Sequence, residues 1–389
     1  KTRKKIQTIQ KKHQPNGEYM YWIKKHEADV MKTEPLAYQP LLSIVVPVYN
    51  VVSKQLDACI RSVQKQTYTN WELCLADDAS SWTSVKECLK KYENKEKIKI
   101  TYRKENGHIS KCTNTAIEMA SGEFIAFMDC DDTLAPNALY EVAKKLNEDK
   151  TLDFIYSDED KIDEKGKKRH QPHFKPDWSP DTFMSLMYTC HLGVYRKTLG
   201  DKIGWLREGY EGAQDYDFTL RFTELTDRIG HIPKILYHWR ERGESTAVNP
   251  DAKSYIFETA RRAKEDALKR RGLKGELEWV SEIYQYRVNY AVPDGAKVSV
   301  IIPSKNNFEV WKRCVDSLRE YTKGVDYEII VVDNGSCEEQ RKQYQKHCEQ
   351  YGYIYHHEPM EFNFSKMCNI GAGQATGRFL LFLNDDISI

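Results

Sequence analysis

From residue 42 onward, short apolar runs alternate with segments whose apolar residues recur every three or four positions. The pattern predicts strand (42–46), helix (55–66), strand (71–76), helix (83–93), strand (98–102), helix (110–120) and strand (123–128). A helix near 136–148 and a strand at 154–156 follow, then a long loop containing Lys175-Pro176-Asp177-Trp178. Beyond it come a strand over 191–195, a helix over 216–224 and a strand over 235–240. Residues 254–271 read as a charged helix, and 283–291 as a strand. Ahead of this core, Ile6, Ile9, Trp22, Ile23 and His26 recur at helical spacing in a basic stretch. That stretch reads as a helix lying on an anionic membrane surface or, alternatively, as an arm packed on the following domain or linking to an upstream module.

Strands separated by helical segments of about ten residues indicate βαβ units and a parallel sheet. Ligands of such sheets bind outside the carboxyl ends of the strands. Pro47-Val48-Tyr49-Asn50, Asp77-Asp78, Arg103 and Asp129 to Asp132 all fall at such ends and are expected to converge on one crevice. The apolar run Phe124 to Met128 empties into Asp129-Cys130-Asp131-Asp132. Carboxylates so crowded need water, a basic partner or a hard cation, and Mg²⁺ or Mn²⁺ holding a phosphate suits them.

The pattern occurs twice. Pro47 lies 256 positions before Pro303, Asp78 256 before Asn334, and Asp131 255 before Asp386. Leu41 to Asn50 pairs with Lys297 to Asn306, Trp71 to Ser80 with Tyr327 to Ser336, and Gly122 to Asp131 with Gly377 to Asp386. Three motifs at one offset, allowing a one-residue gap, predict a complete domain followed by the opening of a second of the same kind. The organisation expected is an N-terminal helical arm (1–40), a first domain (41–250), a helical connector and linker (251–296) and a partial second domain (297–389), in what reads as a piece of a longer polypeptide.

Composition narrows the function classes. A net charge of +1 predicts no nucleic-acid partner. The ten cysteines are scattered, without a CxxC pair or zinc spacing, which fits reduced thiols in a cytoplasm. No apolar run approaches the length of a membrane span, and no signal-peptide pattern appears.

Ser43-Ile44-Val45-Val46-Pro47-Val48-Tyr49-Asn50, the Ala76-Asp77-Asp78-Ala79-Ser80 turn, Glu105-Asn106-Gly107-His108-Ile109-Ser110 and Asp129-Cys130-Asp131-Asp132 resemble the family 2 inverting glycosyltransferases of GT-A fold. Gly212-Ala213-Gln214-Asp215-Tyr216-Asp217-Phe218 and Leu236-Tyr237-His238-Trp239-Arg240 extend the likeness, with bacterial polysaccharide and rhamnan-type enzymes, often in tandem, closest by pattern. The resemblance implies an α/β fold of GT-A type, a Rossmann-like, mostly parallel sheet flanked by helices, then the N-terminal part of a second such domain. It implies transfer of a sugar from a UDP- or dTDP-sugar to a hydroxyl of a growing bacterial cell-surface polysaccharide, with Mn²⁺ or Mg²⁺ as cofactor. The acceptor would be a lipid-linked or polymeric glycan, and the protein cytoplasmic, with peripheral association at the inner face of the membrane.

Residue by residue, Asp129 and Asp131 match the DxD element, Asp131 being the direct metal ligand. His238 matches a histidine that completes the metal or diphosphate site, or is a structural histidine at a strand end. Arg240 matches a diphosphate contact, or is a surface arginine. Pro47, Tyr49 and Asn50 match the nucleotide lip. Asp78 matches the acid that reads the base, and Asp77 shares its turn. Arg103 and Asn106 match base or diphosphate contacts, although Asn106-Gly107 is also an ordinary turn. Asp215 matches the catalytic base, with Asp217 its rival and a helix N-cap the plain alternative. Many relatives carry Glu-Asp there, where this chain has Gln214-Asp215.

Asp158-Glu159-Asp160 reads as a solvated acidic turn, and Trp178 as a packed tryptophan. The alternative function is a non-catalytic nucleotide-sugar-binding scaffold module of a polysaccharide synthase. A sugar nucleotidyltransferase fits less well, since Pro47 to Ser53 holds no glycine and no arginine. The second copy departs from the first, with Asn384-Asp385-Asp386 for Asp129-Cys130-Asp131 and Asn334 for Asp78.

Overall fold

A computed structural model describes residues 15–241 and 254–389 of the chain. It divides into two compact units, Lys1–Tyr290 and Ala291–Ile389. Ile6 and Ile9, part of the expected arm, lie outside the described residues.

The larger unit begins with helix α1 (Pro15–His26), after which the chain runs without regular structure to β1 (Leu42–Val48). Then come α2 (Ser53–Gln64), β2 (Trp71–Asp77), α3 (Thr83–Lys90), β3 (Ile98–Tyr102), α4 (His108–Glu118), β4 (Phe124–Phe127), β5 (Thr133–Leu134) and α5 (Ala138–Glu148). The second half holds β6 (Phe154–Ile162), β7 (Arg169–His173), α6 (Pro180–Ser185), β8 (Gly193–Arg196), α7 (Lys197–Ile203), α8 (Gln214–Phe222), β9 (Ile229–Arg240) and α9 (Ser254–Arg270). A hairpin of β10 (Gly275–Val280) and β11 (Gln285–Tyr290) closes the unit, where the pattern had predicted one strand.

One sheet runs β3-β2-β1-β4-β8-β6-β9-β5, with β7 paired to β6. Strands β1 to β4 are parallel, as the βαβ pattern requires. Strand alternation sends Ile44, Val46 and Val48 into one buried layer with Leu56, Cys59, Ile60 and Val63 of α2, an i, i+3, i+4, i+7 stripe. Val45 faces the opposite layer with Cys112, Ala116 and Ile117 of α4. Each fully buried branched side chain in these layers contributes about 2 kcal/mol. Beyond β4 the sheet turns: β8 is antiparallel to both β4 and β6. The second half packs on aromatic rings, including Phe154, Tyr195, Phe218 and Phe222. Trp178 is partly buried against this cluster.

Strand β6 overturns one reading. Asp158-Glu159-Asp160 is not a solvated turn but lies inside the strand, fully enclosed, with Asp160 at 0% exposure. Every one of the three carboxylates is paired, which is the condition for burying charge.

The smaller unit comprises β12 (Lys297–Ser304), α10 (Phe308–Tyr321), β13 (Asp326–Asp333), α11 (Glu338–Tyr351), β14 (Ile354–His357), α12 (Phe364–Gln374) and β15 (Phe379–Phe382). Its all-parallel sheet runs β14-β13-β12-β15, the order of β3-β2-β1-β4. Among the described residues no helix is long and apolar enough to cross a membrane.

Candidate active site

At the carboxyl end of β2, Asp78 is buried, and its Oδ1 accepts from Arg103 Nε at 2.8 Å and from the Gly107 amide at 2.9 Å. Asn106 Nδ2 reaches the Asp78 carbonyl at 3.4 Å, so strands β2 and β3 and the start of α4 close on one carboxylate. The fit at Gly107 is close: a Cβ there would stand 2.4 Å from Arg103 Nη2 and displace the guanidinium. Asp77 is buried too: its Oδ2 accepts from the Ser80 amide at 3.2 Å, while Oδ1 has no partner. Tyr49 is 51% exposed above this corner, and Pro47 is half-buried beside it. Asn50, at φ 41°, holds neighbouring backbone: its Oδ1 accepts from the amides of Ser81 (2.9 Å) and Trp82 (3.1 Å). Its amide oxygen is thus engaged as a latch between two loops.

The carboxylate loop after β4 is pinned from behind. Asp132 is fully buried; its Oδ2 accepts from Tyr237 Oη at 2.6 Å and its Oδ1 from the Arg240 amide at 2.7 Å. Burial, reinforced by Asp131 and Asp129, pushes its pKa well above the usual carboxylate value. Asp132 therefore anchors the loop, leaving Asp129 and Asp131 half-buried at the crevice. Of the two readings of Arg240, the surface arginine is overturned: the residue is buried and donates through Nε to the Asp131 carbonyl at 2.6 Å. Its Nη1 donates to the carbonyls of Asp163 (3.4 Å) and Glu164 (3.2 Å).

Asp215 sits in the first turn of α8, half-buried, its Oδ1 accepting from the Tyr216 amide at 2.8 Å. The helix is capped two residues earlier than an N-cap role for Asp215 would need, at Ala213. Burial raises the Asp215 pKa; His191 opposes that shift and Asp129 adds to it, so the three groups share one electrostatic neighbourhood. The rival, Asp217, is buried in a structural pair: Arg221 Nε and Arg207 Nε each donate to its Oδ2 at 3.0 Å.

His191 is the residue the sequence reading missed. Its Nε2 lies 3.7 Å from Asp129 Oδ2, and its ring stacks on Tyr237 at 4.5 Å. Its Nδ1 is buried without a partner. Because β8 is antiparallel to β4, with Gly193 opposite Phe127, the start of β8 lies beside the carboxylates. Only knowledge of that direction would have drawn attention to a histidine at a strand's beginning.

The acidic triplet of β6 supports both histidines. Glu159 accepts from the His191 amide at 2.9 Å and from Lys175 Nζ at 3.3 Å. Burial opposes its ionisation, but Lys175 and the neighbouring histidines hold its pKa at about 2. Asp158 accepts from His231 Nε2 at 2.8 Å and from the Lys175 amide at 2.9 Å. Asp160 Oδ1 is 2.6 Å from His238 Nδ1. Burial works against this carboxylate too, yet His238, Arg169 and Tyr19 keep it below the usual range.

The description of Glycosyl transferase family 2 matches residues 43–204 and 299–389. The chain belongs to that family. As a glycosyltransferase family 2 chain it carries the expected GT-A arrangement in its larger unit, a mostly parallel α/β sheet flanked by helices. It is 39% identical over 362 residues to an uncharacterized protein of Sinorhizobium fredii, covering 90% of this chain and 39% of that protein. It is 35% identical over 355 residues to the O-antigen biosynthesis protein RfbC of Myxococcus xanthus, covering 91% of this chain and 28% of the relative. The Escherichia coli chondroitin synthase is 28% identical over 228 residues, which are 59% of this chain and 32% of that enzyme. The chain thus spans between 28% and 39% of the length of these relatives. Among solved structures, S. aureus TarS 1-349 in complex with UDP-GlcNAc matches at a TM-score of 0.47 and 24% identity, over 58% of this chain and 66% of that fragment.

Family members generally use a divalent metal. Asp129, Asp131 and His238 are donors of the right kind, and with His238 Nδ1 engaged by Asp160, Nε2 is the nitrogen that could hold an ion. Among the described residues no three His, Cys, Asp or Glu side chains form a ready metal cage.

Proposed function

We propose that the larger unit is an inverting glycosyltransferase that moves a sugar from a UDP- or dTDP-sugar to a hydroxyl of a bacterial cell-surface polysaccharide. The observation that carries this reading is the half-buried Asp215, its pKa raised by burial, sharing a site with His191 and Asp129. In the proposed reaction the acceptor oxygen attacks the anomeric carbon as Asp215 takes its proton. The bond from that carbon to the diphosphate breaks, and its electron pair leaves on the diphosphate oxygen. Mn²⁺ or Mg²⁺, when bound, supplies positive charge to that leaving oxygen.

On the donor side, Tyr49 and Pro47 flank the base, and Asp78, steadied by Arg103 and Gly107, accepts from the ring N–H that uracil and thymine share. The same reading makes Ala291–Ile389 the nucleotide-binding half of a second domain, and residues 1–40 an arm of the first. The glycan acceptor and peripheral membrane association belong to this proposal as well. The test is release of nucleoside diphosphate from a panel of nucleotide sugars with Mn²⁺ or Mg²⁺ and glycan acceptors. Release from one donor, abolished by chelator and by Asp215→Asn, is the expected result. Metal-dependent nucleotide binding without release from any donor would overturn it in favour of a non-catalytic module.

A further inference from the structure

The end of helix α1 nearest the buried β6 carboxylates is wired into the active site through one side chain. Asp160 has both carboxylate oxygens committed. Oδ1 faces His238 Nδ1 at 2.6 Å, while Oδ2 accepts from Tyr19 Oη at 2.6 Å and Arg169 Nε at 2.5 Å. Arg169 is in turn gripped by a fork from the segment just after α1: Nη1 donates to Glu27 Oε2 at 2.5 Å and Nη2 to Glu27 Oε1 at 2.8 Å. Arg169 Nη2 also reaches Tyr19 Oη at 3.2 Å, so the tyrosine and guanidinium brace each other. Tyr19 is buried, and Trp22, one turn on, meets Phe174 edge-on at 5.0 Å. A carboxylate offers only acceptors, so this arrangement puts the hydrogen of His238 on Nδ1 and turns bare Nε2 the other way.

We propose that Tyr19 and Glu27, acting through Arg169 and Asp160, are positioning residues that fix the ring orientation and tautomer of His238. The proposal rests on His238 belonging to the transfer site, as above. An arm that served only to stabilise the domain would have needed apolar packing on β7. It would not need to spend a buried hydroxyl and a forked guanidinium on the carboxylate that holds a site histidine. The bidentate Arg–Glu pair gives the contact directional precision that apolar packing lacks.

The test uses the full chain, labelled with ¹⁵N-histidine, with the His238 ring signals identified by their loss in His238→Asn. Long-range ¹H–¹⁵N spectra of the wild type should show a single Nδ1–H tautomer at His238. Tyr19→Phe, which removes one hydroxyl, should let the Nε2–H form rise to roughly a third of the population, and Arg169→Gln should raise it further. Lys24→Ala, on the exposed side of the same helix, should change nothing. In the presence of UDP, Mn²⁺ affinity measured by electron paramagnetic resonance should fall about tenfold in Tyr19→Phe and more in Arg169→Gln. Unchanged His238 spectra and Mn²⁺ affinity in a folded Tyr19→Phe protein would overturn the proposal, even if Arg169→Gln does not fold. A tautomer shift in a protein that turns over no donor would instead sink the transferase reading while leaving the positioning role standing.

Discussion

The two units build the same four strands and treat them differently. At the amino end of the sheet they are near copies. In the larger unit Ser43 Oγ donates to Glu72 Oε1 at 2.6 Å, and the Gly122 amide donates to Ser43 Oγ at 2.8 Å. In the smaller, Ser299 Oγ donates to Glu328 Oε1 at 2.5 Å, and the Gly377 amide to Ser299 Oγ at 2.8 Å. The loop latch is repeated as well, with Asn306 at φ 50° accepting from the Cys337 amide at 2.7 Å as Asn50 does from Ser81. At the carboxyl end the two diverge. Asp333 has its Oδ2 satisfied by Tyr355 Oη at 2.5 Å, where the equivalent Asp77 keeps an unpartnered oxygen. Asn334 stands in place of Asp78, and its neutral amide offers no charge for an ion pair like that of Asp78 with Arg103. The difference teaches that the hydrogen-bonded frame and the ligand-facing end of this fold vary independently.

The largest effect should come from Asp215, the candidate base of the larger unit. Asp215→Asn is expected to lower transfer about a thousandfold while leaving nucleotide affinity intact, measured by diphosphate release and by titration with UDP. The wild-type pH–rate profile should lose activity on the acid side at a pH above the ordinary aspartate range, because burial raises the Asp215 pKa and the base must be ionised. An acid limb at the ordinary value would separate the catalytic group from Asp215.

Next, Asp78→Asn makes the first site resemble the second and strands Arg103 without its ion pair. Nucleotide affinity of the larger unit's site should drop roughly tenfold, about 1.4 kcal/mol, read by calorimetric titration. No loss would mean that the carboxylate does not read the base.

The shared frame predicts matched losses instead. Glu72→Gln and Glu328→Gln should each cost about 2 kcal/mol in the unfolding free energy of their own unit. Burial disfavours both anions, but Lys99 with Ser43 and Ser121, and Lys297 with Ser299 and Thr376, hold each pKa at about 2 against an ordinary 4.5. Their stabilisation is complete above pH 4.5 and is lost as the pH falls from there toward 2, so acid thermal melts should fall in that window and flatten in the Gln variants. A loss in only one unit would break the parallel. The smallest effects belong to the latches: Asn50→Ala and Asn306→Ala should each cost about 1 kcal/mol, since both remove side-chain hydrogen bonds and force alanine into positive φ.

The parallel strands were legible because their cores obey simple rules. Ile44, Val46 and Val48 alternate, and Leu56, Cys59, Ile60 and Val63 recur at helical spacing. Asp129, Asp131 and Asp215 were singled out by type and position, and the structure brings Asp129 and Asp215 to one neighbourhood across His191. The β6 triplet was illegible because three adjacent acids normally mark solvent. Their partners Lys175, His231, His238, Arg169 and Tyr19 are scattered over 220 positions of sequence, from 19 to 238. The burial of Arg240 was hidden for a related reason: an arginine held by backbone carbonyls looks, in sequence, like any surface arginine.

Strand β8 is four residues long and is the only strand joining β4 to β6 in the described sheet order. It is sewn in tightly: Arg196 Nε donates to Asp153 at 2.8 Å, its Nη2 to the Lys150 and Leu152 carbonyls at 2.7 Å, and Tyr195 stacks on Phe154 at 4.5 Å. In mechanical terms this is a seam, not a hinge. It ties the half that carries Asp78 and the half that carries Asp215 into one continuous sheet, with no flexible linker between them at this strand.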